Sequence, residues 1–368
     1  MKRLAAGGAV VVALVLGLSA CGTPPASSPG ASGTPGASGG ATASDYVACL
    51  VSDVGGFNDK SFNQAAKAGV DQAVQELGVT SNELESTSQA DYAPYVATLQ
   101  QKNCSIIIAT GFNLEAAMVA AAKQDPAGHY AIVDDNPQNR PDNLKPIVFK
   151  TDEAAFLAGY AAAAYSQSGT VGTWGGMPYP NVTIFMDGFA DGVARYNQDD
   201  SKSVKLIGWN KKTQKGSFVN SFTDQSAAAN VTQQLIAQGA DVVMPVAGNA
   251  GLGALSVAQE KSAAVVWVDQ DGYTSVSQYS GIMLTSVMKG IQAAVFNMIK
   301  QDMSSSAFDT SPYVGTLANQ GVSIAPFHDF SSKLPQDVQS KIADLSQQIA
   351  SGQLKVSSPA DAAVGAAG

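Results

Sequence analysis

The chain has 368 residues, of which 45% are hydrophobic and only 14% charged, with 21 Lys and Arg against 30 Asp and Glu for a formal net charge of −9. That acidic balance argues against a body that grips nucleic acid through a basic face. The length exceeds what one compact core ordinarily holds, so more than one domain is expected.

Lys2 and Arg3 precede an apolar run from Leu4 to Ala20, a charged segment and a hydrophobic one too short for the ~20 residues of a bilayer span. The run ends in LSAC, Leu18 to Cys21, small residues before a cysteine that resemble a bacterial lipobox. On this reading residues 1–20 are a lipoprotein signal peptide and Cys21 is the lipidated start of the mature chain; an ordinary leader that happens to contain a cysteine is the plainer alternative. Gly22 to Ser44 holds only Gly, Thr, Pro, Ala and Ser, so residues 21–44 are expected to form a disordered tether. No later stretch is long and apolar enough to span, which predicts an anchored protein at the extracytoplasmic face of the cell membrane. Without the two leader cations, 19 basic residues face 30 acidic ones and the formal charge becomes −11. Cys49 and Cys104 remain, in a compartment that permits a disulfide; a bridge between them stands against two buried free thiols.

From Asp45 onward strand and helix patterns alternate. YVACLVSD reads as a strand, and Phe62, Ala66, Val70, Ala73 and Leu77 then recur at helical spacing. CSIIIAT is a strand, Leu114 to Gln124 a helix, and YAIVDD and KPIVFK are strands. After Lys150 the pattern restarts with a helix near Ala154 to Gln167, the strand TVGTWGG and a helix from about Thr183 to Tyr196. VKLIGW, DVVMPV and AVVWVD follow as strands, separated by helices over Ser226 to Gln238 and Leu252 to Lys261. Such βα repetition predicts parallel sheets flanked by helices. Ten or more strands strain a single twisted sheet, so two α/β lobes joined by short hinge strands are expected. The chain should cross between lobes near Lys150 to Glu153 and return near Asp271 to Ser286, giving a first lobe of residues 45–150 plus about 275–305 and a second of 151–274 plus about 306–368.

Ligands in open α/β sheets bind beyond the carboxyl ends of the strands. Asp53 ends the first strand, Asp134 and Asp135 end YAIVDD, Gly248 and Asn249 follow DVVMPVA, and Asp269 and Asp271 end AVVWVDQD. One acid at such a junction is ordinarily a helix cap or an Asx turn. Several on one rim point to a polar ligand, and carboxylates accept paired hydrogen bonds from vicinal hydroxyls. In the turn DVGGFNDKSFNQ, Gly55 and Gly56 permit close approach, while Asp53, Asn58 and Asn63 supply polar contacts. Asp59 and Lys60 are read as orienting the helix start. Phe62 and Phe185 are placed at helix starts, one in each lobe, positioned to stack on a flat ring, whereas Phe189 is read as core. A flat ring with vicinal hydroxyls describes a nucleoside. No cofactor, metal or catalysis is expected. Asp269-Gln270-Asp271 is too short to identify a metal site, GNAGLG lacks a P-loop Lys, His129 and His328 have no partners at ligand spacing, and no nucleophile elbow occurs.

DVGGFNDKSFNQ, FKTDEAAFLAGYAA, WGGMPYPNVTIFMDGFADGV, GADVVMPVAGNAGLG and TSVMKG, in this order, resemble the blocks of the basic membrane protein family, the purine nucleoside receptor A-like substrate-binding lipoproteins of ABC transporters. The resemblance covers Tyr46 to about Pro326 and implies the two-lobed type I periplasmic binding protein fold. It also implies a purine held between Phe62 and Phe185, ribose contacts from Asp269 and Lys289, and pocket positions at Asp53, Asn63, Asp134 and Gly248. AGNAG stands where the family has AGGTG, and DQDGY where it has DVDQ, which leaves Asp269 and Asp271 both open as the ribose acid. The expected partners are a purine nucleoside, an ABC permease and the membrane through the lipid anchor, with no nucleic acid and a monomeric chain. A sugar or other small metabolite, or a surface signalling or adhesion role on the same fold, is the alternative.

Overall fold

The computed structural model describes residues 45–362 and 365, all within one compact unit. The leader, Cys21 and the tether lie outside the described residues. In chain order, β1 (Val47–Val51), α1 (Phe62–Leu77), β2 (Thr80–Leu84), α2 (Tyr92–Gln100), β3 (Ile106–Thr110), α3 (Glu115–Gln124), β4 (His129–Val133) and β5 (Leu144–Phe149) build the first βα succession. The second runs through α4 (Thr151–Tyr165), β6 (Thr170–Gly175), α5 (Pro180–Asp199), β7 (Lys205–Ile207), the hairpin β8 (Trp209–Asn210) and β9 (Lys215–Gly216), and α6 (Gln225–Ala237). It continues with β10 (Val242–Val246), α7 (Leu252–Glu260), β11 (Ala264–Asp269), α8 (Gly272–Ser275) and β12 (Met283–Lys289). The chain then forms α9 (Ile291–Ser304), β13 (Tyr313–Gly315), β14 (Val322–Ile324) and α10 (Gln336–Ala350).

These strands form two six-stranded sheets, ordered β13-β5-β4-β3-β1-β2 and β14-β12-β11-β10-β6-β7. All pairs within them are parallel except β12 with β14. The central strands are continuous β-branched runs, such as the fully buried Ile106–Thr110, because helices cover both faces of each sheet. The result is the two-lobed α/β architecture expected from the βα repetition. Cys49 of β1 and Cys104, just before β3, are joined by a disulfide across adjacent strands with Cα atoms 5.8 Å apart.

Among the described residues the chain crosses between sheets three times. The first crossing is at Lys150, between β5 and α4. The second does not lie near residue 275. Met283–Lys289 stays in the second sheet, paired in parallel with β11, and the chain leaves it only at Gly290 to lay α9 along α1. A third crossing, between β13 in the first sheet and β14 in the second, was not expected at all. Both strands are three residues long, too short to stand out as a β pattern. The sheet carboxyl ends face each other across these crossings, and the cleft lies between them.

Candidate functional site

Within the turn after β1, Asp59 turns the chain into α1. Its carboxylate accepts the backbone N–H groups of Ser61 (3.0 Å), Asn63 (2.8 Å) and Gln64 (3.1 Å). Orphan donors at the start of a helix are thereby satisfied. Burial pushes the Asp59 carboxyl up to about 7, against the pull of those N–H groups. Asn63 is held in turn by Asp53, whose Oδ1 accepts its side-chain amide (2.7 Å) and the N–H of Gly55 (2.8 Å). The turn is a prefolded hydrogen-bonded unit, and it presents the Phe62 ring at the helix entrance.

Asp134 and Asp269, at the ends of β4 and β11, both adopt left-handed backbone conformations, with φ of 64° and 66°. For a residue with a Cβ that conformation is uncommon and concentrates at functional sites. Between the two carboxylates lies Lys289, the last residue of β12, whose ammonium pairs with Asp134 and lies 3.5 Å from Asp269 Oδ1. Burial works against the charge on Lys289, but Asp134 and Asp269 outweigh it and hold its pKa above the ordinary lysine value. Burial also raises the Asp134 pKa, with Lys289 opposing. The ammonium lies 5.4 Å from the Phe62 ring centre and 4.7 Å from that of Phe185, within cation–π range of both.

These groups line one cleft between the two sheets. Asp53, Phe62, Asn63, Asp134, Phe185, Asp269 and Lys289, seven of the residues singled out by sequence, line it together. Asn58 is exposed on the turn and Gly248 starts the short helical turn after β10; neither is among the lining residues. Of the two acids left open, Asp269 lines the cleft, while Asp271 caps α8 through the Tyr273 N–H and pairs with His328 Nε2 at 2.8 Å. Phe185 also differs from expectation. Because Pro180 opens α5, Phe185 lies in the second turn of the helix and is 2% exposed, a wall of the cleft that is also part of the core.

Three partly exposed aromatics of the lining are ones that sequence reasoning missed. Phe112 from the first lobe and Tyr179 and Phe222 from the second line the cleft. The ring centres of Phe112 and Tyr179 are 5.4 Å apart, and those of Tyr179 and Phe222 6.2 Å apart. Phe112 and Tyr179 follow the carboxyl ends of β3 and β6, so the rule that picked out the acids also applies to them. Phe222 sits in the loop before α6, where no local pattern marks it. Asn181, at the start of α5, is a further lining residue without a sequence signal.

Among the described residues the lining holds four carboxyl groups, Asp53, Asp59, Asp134 and Asp269, against one cation, Lys289. Aromatic and aliphatic walls surround them. Chemically, the site offers hydrogen-bond acceptors beside aromatic and aliphatic walls.

The family model described as "ABC transporter substrate-binding protein PnrA-like" matches residues 47–359. The chain is 30% identical over 282 residues to the "ABC transporter nucleoside-binding protein BmpA" of Lactococcus lactis subsp. cremoris, covering 73% of this chain and 74% of that protein. It is 27% identical over 330 residues to the "CD4+ T-cell-stimulating antigen" of Listeria innocua serovar 6a, covering 85% of this chain and 88% of that protein. Among solved structures, an ABC transporter solute-binding protein from Aeropyrum pernix K1 superposes with a TM-score of 0.74 at 23% identity, over 85% of this chain and 94% of that one. That last likeness is one of fold.

Proposed function

This chain belongs to the Bmp family of PnrA-like ABC transporter substrate-binding proteins, and from that premise we propose that it captures a purine nucleoside in the interlobe cleft and delivers it to an ABC permease. Substrate-binding proteins of this family act outside the cytoplasm. Among the described residues no helix is long and apolar enough to cross a membrane, and the proposed attachment is a lipid on Cys21.

The observation that carries the reading is the pairing of aromatic walls with an acceptor-rich floor in one cleft. Phe62 offers a face for a base from the first lobe and Phe185 one from the second. Asp269 accepts from the ribose hydroxyls, and Lys289, fixed by Asp134 and Asp269, donates to a ribose or base acceptor. Asp53 and Asn63 hold the turn that carries Phe62. Among the described residues the one ammonium in the lining, Lys289, is already paired with Asp134 and Asp269, so it is not free to meet a phosphate and a neutral nucleoside is favoured over its phosphates. The relative named as a nucleoside-binding protein supports the same class of ligand.

Calorimetric titration with inosine, inosine 5′-monophosphate and ribose tests the reading. Inosine should bind, and the monophosphate should bind more weakly by at least about tenfold, since one repelled charge costs over ~1.4 kcal/mol in a low-dielectric cleft. Phe62→Ala should weaken inosine by about 1–3 kcal/mol through lost stacking and burial. Tight ribose binding without nucleoside binding would overturn the purine reading. For the anchor, Cys21→Ser should release the protein into the soluble fraction and abolish acyl labelling; retained labelling sinks that part.

A further inference from the structure

Two of the lining side chains carry buried polar atoms without a hydrogen-bond partner, and both atoms are acceptors: Asp269 Oδ1 and Asn181 Oδ1. A buried acceptor left unmatched is costly in the free protein, so such an atom facing a cleft marks where a ligand donor belongs. Asp269 already has a proposed counterpart in the ribose hydroxyls. Asn181 does not.

The two orphans sit at opposite ends of one relay. Asp269 faces Lys289, Lys289 pairs with Asp134, and Asn181 lies near enough to Asp134 to oppose the rise in its pKa. The Asn181 side-chain carbonyl oxygen is buried without a partner. Asn181 is also the second residue of α5, one turn before Phe185 on the same helix, beside Val182 of the apolar wall. A ligand that gives its diol to Asp269 and lays its ring against Phe185 brings the edge of that ring towards Asn181.

We infer that Asn181 is a specificity-determining residue, whose carbonyl oxygen accepts a hydrogen bond from an N–H on the base edge. This rests on the nucleoside reading above and sharpens it: the preferred ligands are purine nucleosides with a base donor, such as a ring N–H or an exocyclic amine. A purine riboside with no substituent on its base has the same ring and the same sugar but no such donor. It leaves Asn181 Oδ1 buried and unpaired, and sites built to satisfy a ligand donor discriminate strongly against analogues that lack it.

The test compares inosine with unsubstituted purine riboside on the mature protein, first in wild type and then in Asn181→Leu, with the thermal midpoint as a check that the variant folds. Wild type should prefer inosine by roughly 5- to 150-fold. Asn181→Leu should bring that ratio close to one, and the ratio is the readout because the substitution alters a lining side chain and can shift both affinities together. Equal wild-type affinities for the two ligands overturn the assignment without needing the variant, as does an unchanged ratio in a folded Asn181→Leu. In both cases the nucleoside reading survives. If neither ligand binds wild type, the nucleoside reading and the assignment fall together.

Discussion

Asp152 shows how one buried carboxyl makes stability depend on pH. It is fully buried at the start of α4, its Oδ1 has no partner, and its Oδ2 lies 3.4 Å from Lys150, which also pairs with Asp361 at 2.8 Å. Burial pushes its pKa up to about 7, with Lys150 opposing. In the unfolded chain the same group titrates near ~3.9. As pH rises from about 4 to 7 the unfolded chain releases this proton while the folded protein keeps it, so the group's contribution to stability is lost across that window. Asp152→Asn does not titrate. Its midpoint of thermal unfolding should therefore match wild type near pH 4 and rise progressively above it towards pH 8, by the equivalent of about 1–4 kcal/mol. A difference that stays constant with pH would remove Asp152 from the account. Single residues of the cleft were legible to different degrees. Asp53, Asp134 and Asp269 end strands and Phe62 opens a helix, so local pattern and strand-end geometry suffice for them. Asn181 and Phe222 owe their place to partners far away in sequence, which no local pattern reveals.

The contact between α4 and α5 works on another level, because it depends on the absence of side chains. A Cβ on Gly192 would lie 1.9 Å from the Phe156 carbonyl oxygen and 2.7 Å from the Tyr160 nitrogen, and one on Gly159 would lie 2.2 Å from the Phe189 carbonyl oxygen. The two helices touch backbone to backbone. Since α5 carries Asn181, Val182 and Phe185 into the cleft, its distance from α4 sets the position of one cleft wall. Gly192→Ala has to separate the helices and should cost about 1–3 kcal/mol or more. Gly281→Ala, which meets no atom within 4 Å, should stay within about 0.5 kcal/mol of wild type. Urea denaturation of both variants checks the pair, and equal small effects would contradict the close approach. The apolar strands and the longer helices of the two βα successions could be read from periodicity. The helix α5 extends further towards its start than its apolar pattern indicated, because Pro180 supplies a start signal upstream of Thr183. The edge strand β2, TSNEL, went unread: none of its residues is buried, so it lacks the pattern that marks a strand.

Closure of the molecule is held by groups that need no ligand. Ser61, on the first lobe, gives its hydroxyl to Asp269 of the second, and its carbonyl accepts the Gln270 side-chain amide at 2.6 Å. The Trp267 indole N–H donates to the Lys60 carbonyl at 3.2 Å, and Lys289 reaches Asp134 across the same gap. Lys60 takes a left-handed conformation, φ 59°, at the point where these bonds converge. A receptor that must admit and release its ligand cannot close too firmly, so each such bond tunes an equilibrium between open and closed forms. The sequence indicated two lobes and a cleft, but not this set of bonds, because they join residues 155 to 209 positions apart and depend on how the lobes meet. Gln270 is outside the residues lining the cleft, which makes it a clean probe. Gln270→Ala removes one cross-lobe bond worth about 0.5–1.5 kcal/mol and should lower the closed-to-open ratio of the free protein by roughly two- to tenfold. If the ligand binds the closed form, its apparent affinity falls by up to the same factor, while the complex, once formed, has wild-type dimensions. X-ray scattering on the variant should then give a larger radius of gyration than wild type without inosine and an equal one with it. An unchanged radius and affinity in the variant would mean that the Gln270 bond contributes nothing to closure, leaving Lys289, the Trp267 indole and the Ser61 hydroxyl to hold the lobes together.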